Sequence, residues 1–224
     1  LASGSRITRA SDDAAGLSIS TRINSDVSAL EQAATNASHG ISVLQTADGG
    51  AAQISDILVR MKTLASQAAS GTVTDTERSY IDAEFQELID EIDGIATSTR
   101  YNGDALLDGT SDFATGVDVV VGSDASDTIT ITIDSLSATD LAIDTLDVAD
   151  QTNAEAALAA LDTAIGTVSG ARASIGATMS RFEFRSEAIA TSTENLQAAA
   201  SAITDTDIAS EQAKLSASTV KVQA

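Results

Sequence analysis

Side chains that ordinarily carry chemistry are sparse in this 224-residue chain. His39 is the sole histidine and cysteine is absent. That removes thiolate nucleophiles, disulfides and cysteine-type zinc sites, and leaves too few imidazoles for a metal cluster or a Ser-His-Asp relay. Two acidic pairs remain. Asp12 and Asp13 could hold a cation or act as paired acids, but they stand directly before an apolar repeat, where a carboxylate serves as a helix N-cap. Asp124 and Asp127 fall in the string GSDASD, whose aspartates suit a turn and resemble a calcium loop only loosely. No catalytic residue, metal ligand or cofactor site is expected, and His39 reads as a helix-surface or subunit-contact residue.

The elements that would position any site are aliphatic and long. Hydrophobic residues make up 43% of the chain but aromatic ones only 3%. Such composition suits helices lying close along a seam better than a globular enzyme core. Proline is absent, so no helix interior meets its ring clash or missing donor. A formal net charge of −21 repels phosphate, which argues against nucleic acid and anionic membrane as partners. No stretch is apolar enough to span a bilayer, and the first residues lack a secretory leader pattern.

From Asp12 to Ser70 the apolar positions Ile23, Val27, Leu30, Ala34, Ala37, Ile41 and Leu44, then Ala51, Ile54, Leu58 and Met61, alternate four and three apart. One core position is skipped near Asp48. This heptad seam predicts a helix roughly 90 Å long, with a bend or a close contact at Gly49 and Gly50. Thr74 and Glu77 form a capping box for a second helix with Ile81, Phe85, Leu88, Ile92 and Ile95 on its core face, folding back antiparallel after Gly71. The period then becomes two. Val117, Val119 and Val121 alternate on one side of the GSDASD turn and Ile129, Ile131 and Ile133 on the other, a β-hairpin. Leu141, Ile143, Leu146 and Val148 suggest a further strand or extended segment. A second capping box at Thr152 and Glu155 opens a third helix. Its frame runs Leu158, Leu161, Ile165, Val168, Arg172, Ile175, Met179, Phe182, Ser186, Ile189, Thr193, Leu196, Ala200 and Ile203. Arg172, Ser186 and Thr193 are polar intrusions that fix register or face another subunit. After Thr204 and Asp205 a new helical start carries Ile208, Leu215 and Val222.

These readings give a mainly α fold: a long antiparallel, coiled-coil-like bundle with a small β-hairpin region. Residues 1–103 supply two helices, 104–150 the hairpin region and 151–224 the returning helix and the start of a terminal segment.

The opening string LASGSRITRASDDAAGLSISTRI, Leu1 to Ile23, resembles the signature of bacterial flagellins, with a Ser-Gly turn and an Asp-Asp-Ala-Ala-Gly run leading into the first rod helix. The likeness continues through Gly40-Ile41-Ser42, Leu44-Gln45-Thr46, Met61-Lys62-Thr63-Leu64-Ala65 and Arg100-Tyr101-Asn102-Gly103. It resumes from Ala173 to Ala217 with Arg181-Phe182 and Ile203-Thr204-Asp205-Thr206-Asp207. The resemblance implies the rod core of a filament subunit, extracellular, self-assembling for motility, short of the complete terminal segments and without variable outer domains. A subunit lacking those segments is expected to stay monomeric. Other subunits, flagellar cap and junction proteins are the implied partners. So is a vertebrate innate receptor of the Toll-like class, whose central contacts fall on Arg60, Leu64 and Glu84, while Thr63 and Val59 depart from the pattern of well-recognised members. The HExxH insert of some flagellins is missing, so no enzyme is expected. A hook-filament junction protein is a rival, disfavoured by the Asp12-Asp13-Ala14-Ala15-Gly16 run, where junction proteins typically carry proline. A surface polysaccharide-binding homologue is another, disfavoured by the scarcity of aromatic stacking platforms.

Overall fold

The computed structural model describes Arg6, Ile7, Arg9 and residues 11–223, so the expected Ser3-Gly4 turn lies outside the described residues. Four helices dominate: α1 (Ala14–Ala68), α2 (Asp75–Ser98), α3 (Gln151–Thr204) and α4 (Ile208–Gln223). Between α2 and α3 come β1 (Arg100–Tyr101), β2 (Asp104–Ala105), a 3-10 turn at Asp112–Ala114, β3 (Val117–Val120) and β4 (Thr128–Ile131). The strands form two separate two-stranded sheets, β1-β2 and β3-β4. Helices α1 and α3 have 55 and 54 residues. Many of their hydroxyls stay compatible with the helix by donating back to it. Thr21 reaches Leu17 O at 2.8 Å, Ser42 reaches Ser38 O at 3.0 Å and Thr167 reaches Thr163 O at 3.1 Å.

The chain folds into two compact units. One comprises the residues up to Asn36, Val120–Asp127 and the residues from Arg185 onward; the other comprises Ala37–Val119 and Thr128–Phe184. Each therefore gathers segments distant in sequence.

In the larger unit α1 runs antiparallel to both α2 and α3. Asp48 meets Arg172 and Lys62 meets Asp162, so residue numbers rise along α1 as they fall along α3. Arg60 meets Glu84 on α2, and Arg78 of α2 reaches the α1 carbonyl of Ala68. Leu44, Ile54, Leu58, Phe85, Ile92, Leu161 and Phe182 are fully buried, and Ile175 nearly so. Burying such side chains contributes about 1.5–3 kcal/mol each. Ile41, Ile165 and Leu88 are only half-buried. At Leu88 the structure corrects the seam, since Ile89 takes the buried place. The reason is that α2 packs on two sides: against α1, and beneath the loop that follows β4. Asp82 accepts Val148 N at 2.8 Å, Asp93 accepts Ala138 N at 2.7 Å, and Gln86 donates to Leu146 O at 2.9 Å.

That loop corrects a second expectation. Leu141, Ile143 and Val148 are buried, but the segment is built of turns, its amides satisfied by its own carbonyls, as at Leu141 and Ile143, and by α2 side chains at Ala138 and Val148 instead of a strand partner. A third correction concerns the start of α3. Asp150, not Thr152, caps it, accepting Asn153 N at 2.8 Å, so Thr152 already lies inside the helix. An aspartate is as good a cap as a threonine, and it comes first in the chain. The box at Thr74 and Glu77 forms as expected. Gly49 and Gly50 cause no break in α1. A Cβ on Gly50 would overlap Thr99 and come within 2.8 Å of Leu107 Cδ1, so the glycine marks a close approach. At Asn102 and Gly103 positive φ values of 53° and 99° make the tight turn joining β1 to β2.

In the smaller unit Val27, Leu30 and Ile189 are buried, and Ile23 and Leu196 are half-buried. Asp13 caps α1, accepting Ala15 N at 3.0 Å and Gly16 N at 2.9 Å. Gly16 must be small because Ile7 packs over it, its Cδ1 only 2.6 Å from where a Cβ would stand. Arg6 donates its amide to Thr204 O and its guanidinium to Ile203 O at 2.8 Å, closing the end of α3. On α4, Ile208 and Leu215 are 56% and 47% exposed. The Val222 side chain lies outside the described residues.

Candidate assembly and recognition surface

Arg60 and Glu84, 24 positions apart in sequence, come together where α1 and α2 run side by side. Arg60 Nε and Nη2 both donate to Glu84 Oε1, at 2.9 and 2.5 Å. Both side chains remain about half exposed, so the pair contributes little stability, roughly 0–1 kcal/mol, and stays open to a partner. Val59 and Thr63 flank it in the open. Leu64 is placed differently from an exposed contact: it is 2% exposed and belongs to the packing beneath the pair. Its i, i+3 spacing from the core residue Met61 puts it on the inward face of α1.

The skipped core position at Asp48 and the polar intrusion at Arg172 turn out to be one feature. Arg172 Nε donates to Asp48 Oδ1 at 2.8 Å and Nη2 to Oδ2 at 3.4 Å, bridging α1 and α3. The hydrogen bond to Asp48, helped by the charges of Asp48 and Asp56, raises the guanidinium pKa above its ordinary value against the opposing effect of burial. One defined partner at one height fixes the register of two otherwise uniform aliphatic helices.

Sequence reasoning missed Arg78. It is 5% exposed and clamps the α1–α2 turn through Ala68 O at 2.7 Å, Ser70 O at 3.0 Å and Asp75 Oδ1 at 2.6 Å. Ala68 O, at the last residue of α1, is a carbonyl without an intrahelical partner, and Ser70 O, just past the helix, also accepts Val73 N. The signal was available, because Arg78 continues the three-and-four spacing of Ile81 and Phe85 and so had to face inward.

In the smaller unit the hairpin tip Val121–Asp127 is held from two helices. Asn36 on α1 donates to Val120 O at 3.1 Å. Arg185 on α3 donates to Val121 O at 2.8 Å and pairs with Asp127 at 3.2 Å. Gly122 folds against Asp127 so tightly that any Cβ would overlap that carboxylate. Asp124 accepts the amide and hydroxyl of Ser126, and these bonds, the amide first, lower its pKa below the ordinary 3.8. Asp12 accepts Arg9 N at 3.0 Å, and His39 is exposed on α1. These aspartates serve caps and turns, and no group of three or more metal-ligating side chains occurs among the described residues.

Comparison with known proteins places this geometry. Residues 1–112 match the family model for the bacterial flagellin N-terminal helical region, and residues 158–224 match that for the C-terminal helical region. A flagellin of Halalkalibacterium halodurans is 38% identical over 226 residues, covering 100% of this chain and 82% of the relative. Among solved structures, the Bacillus cereus flagellin superposes with a TM-score of 0.61 at 35% identity, covering 69% of this chain and 88% of the other. A putative flagellar hook-associated protein from Vibrio parahaemolyticus gives a TM-score of 0.70 over 86% of this chain and 99% of its own, at 17% identity, a likeness of fold alone.

Proposed function

Since the chain belongs to the bacterial flagellin family and is a structural subunit of the extracellular flagellar filament, we propose that its long helical faces are where copies of it add side by side and end to end. Polymerisation with other flagellin subunits follows from the family; the faces are our reading. The observation that carries it is the pinning of α1 to α3 by Asp48 and Arg172, which makes each subunit present the same surface to its neighbours. A contact between unlike patches that does not close into a ring generates a helical fibre. The role is structural, and we assign it no reaction, a reading supported by the single histidine and the absence of cysteine. Electron microscopy of cells whose only filament subunit is this protein tests it. Filaments are the expected result; secreted but unassembled subunit overturns the reading.

The α1–α2 face is the proposed contact for a Toll-like receptor, through the exposed Arg60 and Glu84, with Leu64 supporting them from below. Cap and junction proteins are the proposed partners at the filament ends. In a reporter-cell assay the native subunit is expected to signal and the Arg60→Ala variant to lose most of that response. Equal signalling by the two sinks the assignment.

A further inference from the structure

Helix α2 repeats itself. Glu77, Glu84 and Glu91 recur every seven residues, as do Ile81, Leu88 and Ile95, and the neighbouring seam position runs Arg78, Phe85, Ile92. Apolar burial is non-directional, so moving α2 by seven residues, about 10 Å, along α1 would keep apolar side chains at apolar places. It would also carry a different glutamate to Arg60. The half-exposed Arg60–Glu84 pair is too weak to forbid this; it reports the register without setting it. The bonds from Asp82, Gln86 and Asp93 run to the loop after β4, so they tie α2 to that loop and not to α1.

Two features tell one repeat from the next. Thr99 closes over Gly50, and the shift that brings Glu77 to Arg60 would force the bulkier Ile92 into that tight place. The opposite shift, which brings Glu91 to Arg60, meets no such block, since it moves Phe85 into the place of Arg78. Arg78 is 5% exposed, and its planar guanidinium reaches Ala68 O at the end of α1, Ser70 O in the turn and Asp75 Oδ1 on its own helix. A phenyl ring has no donor to give, so the carbonyl that ends α1 would be left bare. Building on the reading of the α1–α2 face as a recognition surface, we propose that Arg78 is its positioning residue, selecting Glu84 from three equivalent glutamates to stand against Arg60. A single buried polar residue in an apolar seam fixes register in this way.

The chain has no cysteine, so introduced thiols can read the register. Arg60→Cys is combined with Glu84→Cys or with Glu91→Cys, both exposed positions on α2, and the subunit is treated with a short bis-maleimide. With Arg78 in place the Glu84→Cys pair is expected to cross-link about tenfold faster than the Glu91→Cys pair, because juxtaposed thiols have the higher effective concentration. Arg78→Met is expected to cut that preference to about twofold while circular dichroism still shows the helices. Arg78→Lys, which keeps a charged donor for Ala68 O, is expected to restore part of it. Arg78→Gln, with a neutral donor, serves should the methionine variant unfold, and is expected to give an intermediate ratio. A merely structural role would change both yields together and leave their ratio alone. A ratio unchanged in the folded Arg78→Met or Arg78→Gln subunit overturns the role of Arg78. In the reporter-cell assay, a native subunit that fails to signal removes the recognition surface, whereas the cross-link ratio judges Arg78 by itself.

Discussion

Adjacent glycines in α1 are expected to respond to the same substitution with opposite consequences. Replacing glycine by alanine in a helix interior stabilises by roughly 1 kcal/mol. At Gly49 nothing lies within 4 Å of the added Cβ, so Gly49→Ala should realise that full gain and raise the melting midpoint by about 2–4 °C. At Gly50 the same methyl meets both γ atoms of Thr99 and comes within 2.8 Å of Leu107 Cδ1. Thr99 cannot simply rotate away, because its hydroxyl donates to Ile95 O at 2.8 Å, and Leu107 is fully buried. Overpacking of this kind costs about 1–3 kcal/mol. The helix-propensity gain is common to both sites and cancels in the comparison. Gly50→Ala should therefore be less stable than Gly49→Ala by about 1–3 kcal/mol, which is the packing cost itself. Urea unfolding followed by circular dichroism measures it, with unchanged m-values required so that the midpoints can be compared. Equal stabilisation by both substitutions refutes the close approach of α1 to Thr99 and Leu107.

Arg78→Met should destabilise by about 3 kcal/mol, since the Ala68 carbonyl that ends α1 and the Ser70 carbonyl after it lose a charged donor, and denaturant unfolding reads it directly. For Asp48 and Arg172, a double-mutant cycle with Asp48→Ala and Arg172→Met should give a coupling of about 0.5–1 kcal/mol, modest because both side chains are a third or more exposed. A coupling near zero would remove the register role. The Glu77 carboxyl has its pKa lowered from the ordinary 4.5, first by the Thr74 amide and then by the Thr74 hydroxyl. A depressed carboxylate stabilises above its unfolded value and loses that contribution as pH falls through the folded one. The first turn of α2 should therefore fray on acidification below pH 4.5, visible in the Glu77 amide shift, and Glu77→Gln should flatten that pH dependence.

The helices were legible because aliphatic residues at four-three spacing admit one reading, and the capping box at Thr74 needs only neighbours three residues apart. Features built from distant residues were legible only in halves. Asp48 broke one seam and Arg172 another, but nothing in the chain says that residues 124 positions apart share a bond. Leu64 shows the limit of a resemblance: the likeness marks a position, whereas i, i+3 spacing from Met61 decides that its side chain faces inward. The loop after β4 misled because buried apolar residues normally need a strand to satisfy their backbone, and here the loop's own turns share that part with Asp82, Gln86 and Asp93. Asn102-Gly103 carried a plain turn signal whose strands, two residues each, were too short to show a period.

The hydroxyls of α1 and α3 that donate to their own carbonyls bear on how neighbouring subunits can move. A face whose protons are already committed offers another face mainly lone pairs, so two such faces in contact find few direct matches and lean on shape and intervening water. On the proposed assembly faces, the lack of a directional lock at every turn would let neighbouring subunits slip by fractions of an ångström at small energetic cost. A fibre whose subunits met on such faces would flex and recover.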